Sequence, residues 1–310
     1  MGQQLAERLQ GVAVSEPVEV GGLQVFALRW DTGADIDYLT LDEGLASGTL
    51  EVTELSEGGS VPTLKVSNEG DSMAFLMAGE QLVGAKQNRV LNASILVAAQ
   101  SELPIPVSCV EAGRWAFRSR SFGSSGTGSH GKLRQLMHSQ VTHSYLETGT
   151  PTSAQGEVWN EVSRKLAAME SSSPSADLYQ AYQDHGVRLK EVLDNLHAPE
   201  GACGAVFAIG GHIAGVDLFD RPSTLAKLWP KLIRAYAIDA LEEQAGEAKV
   251  TPDVVRQWLG TAPGAKSQAF KSPGLGDDVR LEGDTLVGAG LVLDDHPVHV
   301  ELFPNLQRPA

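Results

Sequence analysis

Two cysteines in 310 residues cannot build a disulfide framework, and aromatic residues make up only 6% of the chain. Cys109 and Cys203 each lie inside an apolar run (VSCVE, GACGAVF), the usual setting of a reduced, buried thiol, so an intracellular protein is expected. Basic residues are also scarce: 24 Lys and Arg stand against 39 Asp and Glu, a formal net charge of -15. That mean field opposes a polyanion and argues against nucleic acid as a partner. No run approaches the ~20 apolar residues of a membrane helix. The opening MGQQLAERLQ lacks both the basic-then-apolar order of a secretory leader and the Ser or Thr of a myristoylation site. A cytoplasmic protein with no membrane contact follows as an expectation. What is present suffices for folding. With 42% hydrophobic and 20% charged residues and no low-complexity block, the chain makes one large globular domain or two ordinary ones.

Residues 12–118 read mainly as strands. Gly48–Leu55 and Val61–Val66 alternate apolar and polar residues about a Gly58-Gly59 turn, which predicts a hairpin. Met73–Ala78, Val90–Ala98 and Ile105–Val110 are longer apolar runs, placed as better-buried strands of the same sheet. Pro104 and Pro106 cannot donate to a ladder, which puts the start of the third run at an edge or a bulge. Ser119–Gly131 (SRSFGSSGTGSHG) reads as a flexible Gly/Ser stretch, with the linker proper at 121–131. It separates a strand-rich region, 1–120, from residues 132–310, which carry helices, a hairpin and C-terminal strands and could form one composite domain with 1–120. Amphipathic helices are predicted at Lys132–Glu147, Gln155–Met169 and Ala176–His197. Gly204–Phe219 is a hairpin about Gly210-Gly211, and Leu225–Leu241 a helix that Pro230 kinks or restarts. Thr251-Pro252 opens a short helix, and strands follow at Val279–Glu282, Thr285–Leu293 and Val298–Phe303. The fold class is α+β: a mostly antiparallel sheet from N- and C-terminal strands with a central helical region.

Two polar clusters stand out against this apolar background. Gly79–Asn92 (GEQLVGAKQNRVLN) concentrates Glu80, Gln81, Lys86, Gln87, Asn88, Arg89 and Asn92 between two strands, where a rigid sheet presents functional groups and where a solvated loop would also be polar. In Ser108–Trp115, strand alternation puts Cys109 and Glu111 on one face, after which Gly113 turns the chain and Arg114 and Trp115 leave. Glu111 is then a general base or a hydroxyl acceptor, Arg114 an anion clamp and Trp115 a stacking surface; equally, a Glu111–Arg114 pair could simply order the turn. Cys109, with no histidine near in sequence and a carboxylate on its face, is expected to be a protonated packing thiol. Gly126–Lys132 (GTGSHGK) fits the spacing of a phosphate-binding loop, but Leu133 replaces the magnesium-holding hydroxyl, so a nucleotide triphosphatase is disfavoured. His299 and Glu301 share a strand face without the further ligands of a metal site, and no metal is called for.

The stretches GEQLVGAKQNRVLNASILV and PVSCVEAGRW, with YLTLDEGLASG, Gln155–Trp159 and the helix ending in AYAIDAL, resemble a bacterial family named for its association with ADP-ribosylglycohydrolase and rhodanese/phosphatase-superfamily proteins. The resemblance spans most of the chain. It implies work on ADP-ribose or NAD-derived compounds and maps the family's motif residues onto Glu80, Gln87, Asn88, Arg89, Ser108, Cys109, Glu111, Arg114 and Trp115. It brings no reaction and no cofactor with it.

The leading expectation is a single site built from both clusters, binding a phosphorylated, ribose-containing nucleotide derivative and, if it is a hydrolase, cleaving it. Arg89 and Arg114 would take phosphate oxygens, Gln87 and Asn88 ribose or base edges, and Trp115 the base face; Glu80 and Glu111 would be the general acid and base. The rival is a noncatalytic binding or scaffold protein in which the same residues hold loops together and the helices form a homo-oligomer surface. A catalytic site should show a carboxylate raised in pKa inside a cleft, whereas the rival predicts motif groups satisfied internally.

Overall fold

The structure, a computed structural model, describes residues 2–30, 36–243 and 248–305. The chain divides into two compact units, Met1–Asp35 with Lys190–Ser272 and Gly276–Ala310, and Ile36–Leu189 with Pro273–Leu275.

The first unit opens with helix α1 (Gly2–Gln10), which turns Leu5, Ala6 and Leu9 inward, and with strands β1 (Ala13–Val20) and β2 (Leu23–Arg29), joined at Gly21-Gly22. The second unit then supplies β3 (Tyr38–Thr40), α2 (Leu41–Ser47), β4 (Leu50–Glu54), β5 (Thr63–Asn68), β6 (Met73–Leu76), β7 (Glu80–Gly84), β8 (Arg89–Leu91), β9 (Ile95–Val97), β10 (Ser101–Cys109) and β11 (Phe122–Gly128). Helices α3 (Gly131–Thr148), α4 (Gln155–Ala168) and α5 (Tyr179–Asp184) follow, and α6 (Gly186–Asn195) carries the chain out of this unit. Back in the first unit come β12 (Gly204–Ile209), β13 (His212–Phe219), α7 (Pro222–Glu243, with Pro230 inside it), α8 (Pro252–Leu259), β14 (Lys266–Lys271), β15 (Asp277–Glu282), β16 (Leu286–Leu293) and β17 (His296–Pro304).

In the first unit these strands form one eight-stranded antiparallel sheet in the order β1-β2-β12-β13-β17-β16-β15-β14. Its hairpin turn at Gly210-Gly211 has both residues at positive φ, the mirror-image turn that matches strand twist. A core of Leu5, Phe26, Val206, Val216, Leu281 and Val300 fills one part of it.

The second unit is built on a six-stranded sheet, β11-β7-β8-β10-β5-β4, every pair antiparallel. An isolated antiparallel bridge between Thr53 of β4 and Ser121, the residue before β11, brings the two sheet edges together at one end, so the sheet curls into a small, partly closed barrel. Alternation fills the interior: Leu50, Val52, Leu64, Val66, Leu82, Leu91, Ile105 and Val107 make one apolar core. A three-stranded sheet, β3-β6-β9, with β3 and β6 parallel, lies in the same unit. The protein is thus α+β with large antiparallel sheets, and among the described residues no helix is long and apolar enough to cross a membrane.

Several elements differ from the sequence expectation. The run expected as a flexible linker is largely strand: Phe122–Gly128 pairs with β7, and Thr127 to Gly131 are buried, so the second unit continues through 121–131 without a break. Glycine and serine have low β propensity, but tertiary pairing with β7 overrides it here. Val90–Ala98 is two strands in two sheets, split by Asn92–Ser94, and Met73–Leu76 belongs to the smaller sheet, so these runs do not share one sheet. The prolines of β10 are tolerated because Ser101–Pro106 pairs only with β5, and β8 joins on the other side from Val107 onward. Ala176–His197 breaks into α5 and α6 at His185.

Candidate functional site

Strands β4, β7 and β10 finish at the barrel end where β5, β8 and β11 begin, so Glu54, Gly84, Arg89, Cys109 and Phe122 meet there. This brings the two sequence clusters together. Cys109 pairs with Arg89 across β10 and β8, and the backbone N–H of Asn88 donates to Glu111 Oε2 at 3.0 Å.

Glu111 is the hub. Its carboxylate accepts from Arg114 Nε (2.9 and 3.0 Å) and Nη2 (2.7 Å), from Ser175 Oγ (2.7 Å) and from Asn88 N–H, and it is fully buried. Burial pushes this carboxyl up, but the hydrogen bonds from Arg114, Ser175 and Asn88 and the Arg114 charge outweigh it and hold Glu111 below the usual carboxylate range. Arg114 is equally occupied, since Nη1 donates to the carbonyls of Ala85 (2.6 Å) and Ala116 (2.8 Å). Asn88 ties the cluster to Asp177: its Nδ2 donates to Asp177 Oδ2 at 2.9 Å while its Oδ1 accepts from Gly84 N–H at 3.1 Å. Burial raises the Asp177 carboxyl above its ordinary value. Gln87 spends its side chain on Arg89 Nη1 and the Ala112 carbonyl. Gln155 seals the end of β10, accepting from Cys109 N–H and donating to the Cys109 carbonyl, both at 2.8 Å.

Beneath this hub, facing into the barrel, lies a polar layer of Glu54, Arg89 and Cys109. Glu54 continues the inward series Leu50, Val52, and Arg89 that of Leu91. Arg89 is fully buried; Nη1 donates to the Gln87 carbonyl and side chain, whereas Nε and Nη2 donate to nothing, and the nearest carboxylate oxygen, Glu54 Oε1, is 3.7 Å from Nη2. That separation is an ion pair without a hydrogen bond. Glu54 Oε1 accepts from Lys86 N–H, and Oε2 accepts from nothing. Burial pulls the Arg89 guanidinium below its ordinary value, and it pushes the Cys109 thiol up to about 11 against the lowering influence of Arg89.

Over this layer stands Trp115, 47% exposed, with the Arg89 guanidinium 5.7 Å from its ring centre. Lys86 lies 5.2 Å from the Trp115 ring and 5.0 Å from that of Phe117, and its ammonium donates to the carbonyls of Glu57 and Gly58. The barrel end is thus roofed by the exposed loop Ala112–Arg120 and by the β4–β5 turn, with Lys86 fastening one to the other.

Of the expected site residues, Gln87, Asn88, Arg89, Glu111, Arg114 and Trp115 are brought together here. Glu80 is not among the partners of Glu111. It sits fully buried at the opposite end of β7, where Oε2 accepts from Met77 N–H at 2.7 Å and its own N–H returns to the Met77 carbonyl. Sequence reasoning missed Glu54, Ser175 and Asp177. Only Glu54 carried a signal, as a carboxylate at the inward position of an alternating strand; Ser175 and Asp177 come from a distant connection.

The second unit also has a cleft of about 710 Å³ along the β4–β11 seam, between α2 and the edge strands. Asp42, Leu45, Ala46 and Gly48 of the YLTLDEGLASG stretch line it but no residue of the two polar clusters does, and its charged lining is Asp42, Glu51 and Glu69, with no lysine or arginine, which suits no phosphate. GTGSHGK is packed where β11 meets α3: His130 bonds Glu161 at 2.8 Å, and Glu161, raised by burial but lowered further by Arg164 and His130, settles at about 2. His299, in the first unit, bonds Asp217 at 3.1 Å and stacks on Phe219.

Fold and site define an α+β protein whose second unit is built on a small, partly closed antiparallel barrel, plugged at one end by a buried arginine–glutamate network. The chain belongs to the family of the ARPP-1 domain, the ARG and Rhodanese-Phosphatase-superfamily-associated Protein domain, whose model matches residues 11–303. Searches of curated proteins and of solved structures find no match.

Proposed function

We propose that the second unit is a binding module for a phosphorylated, ribose-containing nucleotide derivative of the ADP-ribose or NAD kind, which it holds without hydrolysing. The observation that carries this is Glu111: a carboxylate kept ionised by Arg114, Ser175 and Asn88 has no proton to give near neutral pH and accepts one only by breaking its network. The ligand class is supported by the family's association with ADP-ribosylglycohydrolase and by Trp115, an exposed indole for a base face at the mouth of a barrel. Arg114 is fully engaged, so the phosphate contacts fall to Arg120 and to Arg118, both exposed on the same loop, the latter also 3.9 Å from Glu111. The acidic net charge and the two buried thiols fit a cytoplasmic small-molecule binder.

Isothermal titration with ADP-ribose, NAD and AMP, followed by chromatography of the recovered nucleotide, tests the proposal. Saturable binding with nucleotide recovered intact is expected. No heat with any of the three removes the binding function, and time-dependent consumption removes the noncatalytic one.

A further inference from the structure

Arg89 and Glu54 are the buried charges at the barrel end whose hydrogen-bonding capacity is left open. Two nitrogens of a fully buried guanidinium, Nε and Nη2, have no acceptor, and one oxygen of the carboxylate beside it, Oε2, has no donor. Neither the 3.7 Å contact between them nor the Lys86 N–H on Oε1 closes this account. Buried polar atoms are seldom left so, because each costs its full desolvation. A group completing the pair has to present an acceptor to Arg89 and a donor to Glu54 at once.

That requirement selects the chemistry. An ionised phosphate or carboxylate offers acceptors only, and it would face the unpaired Glu54 oxygen; the Arg89 charge is moreover already answered by Glu54. A neutral group with acceptor and N–H donor side by side meets both, as in a primary carboxamide or the amino edge of adenine. Each such group is carried on a flat ring, and Trp115 stands over Arg89 as the outer wall of this position.

We infer that Arg89 and Glu54 read a neutral carboxamide or amino-heterocycle edge at the barrel mouth, with the ring against Trp115 once the loop fastened by Lys86 has lifted. The inference rests on the nucleotide-binding function proposed above and reassigns Arg89 from phosphate to base. It predicts discrimination against ligands that keep ribose and phosphate but lose the donor.

The test compares two pairs by isothermal titration: nicotinamide mononucleotide with nicotinic acid mononucleotide, and AMP with the purine ribotide lacking the 6-amino group. At least about tenfold tighter binding of the donor-bearing member is expected in one pair, which also says whether carboxamide or adenine is the source. Glu54→Gln should reduce that preference to less than about threefold, with the ribose and phosphate contribution retained. If all four bind alike, the Arg89–Glu54 reading is wrong while nucleotide binding stands; the open atoms then belong to an internal water. If none of the four binds but free nicotinamide or adenine does, with the same dependence on Glu54, the edge reading survives and the nucleotide function fails. The comparison within the native protein decides the matter even if the variant does not fold.

Discussion

The N–H of Asn88 reaches the carboxylate of Glu111 at 3.0 Å, though 23 residues separate them in sequence. This bond joins the β7–β8 connection to the β10–β11 loop, and Arg114 locks it by donating to both Glu111 (2.7 Å) and Asn88 Oδ1 (3.3 Å). The charge of Glu111 therefore holds the barrel end in shape, and its removal tests that role first.

Glu111→Gln should lower unfolding stability by about 3 kcal/mol, the scale for leaving one member of a buried ion pair alone. Urea midpoints measure it. Adding Arg114→Met should recover part of the loss, because the second substitution removes the stranded cation. A double variant as unstable as the sum of both singles would mean that the two residues do not act as a pair.

Cys109 should be almost inert in the native protein at pH 7. Its thiol is fully buried and titrates at about 11, so the thiolate is scarce and shielded. Iodoacetamide with peptide mass spectrometry should find it unlabelled after a time that labels it fully in urea. Rapid native labelling, with loss of nucleotide binding, would instead make it a nucleophile.

Glu161 provides an acid-sensitive contact. Its folded pKa of about 2 lies below the ordinary value of about 4.3, so the ionised form is favoured by the fold. The sign is that of a depressed carboxyl: the stabilisation is complete above the unfolded pKa and is lost as pH falls from there through about 2. Native protein should exceed Glu161→Gln in urea midpoint at pH 7, and the gap should narrow steadily between pH 4.5 and pH 2.5. A gap independent of pH would assign the effect to packing.

Gly59 holds φ at +74° in the β4–β5 turn, and a Cβ there would come within 3.1 Å of Lys86 Cδ and 3.2 Å of the Trp115 ring. Gly59→Ala should cost about 1–2 kcal/mol and leave Trp115 more accessible to acrylamide, since the side chain strains the backbone and pushes on the loop that roofs Arg89. Unchanged stability and quenching would show that this turn does not hold the roof.

Much of this protein was legible residue by residue. Alternation in Leu50–Glu54, the Gly210-Gly211 turn, the Thr251-Pro252 helix start and the periodic α3 and α4 all depend on neighbours in sequence, and they stand where the pattern put them. The two polar clusters were visible for the same reason; Cys109 was expected to be protonated from the carboxylate on its strand face, whereas burial is the larger cause of its raised pKa. Three things needed the tertiary structure. The Gly/Ser-rich run became β11 because β7 offered it an edge, which no local propensity records. The ionised, hydrogen-bonded setting of Glu111 came only from the fold, because Ser175 and Asn88 reach it from other connections and the pKa of a carboxyl is set by whatever surrounds it in space. Glu54 entered the site only when the sheet curled and the bridge from Thr53 to Ser121 drew its edges together, since sheet curvature, and not sequence distance, decides which side chains share an interior.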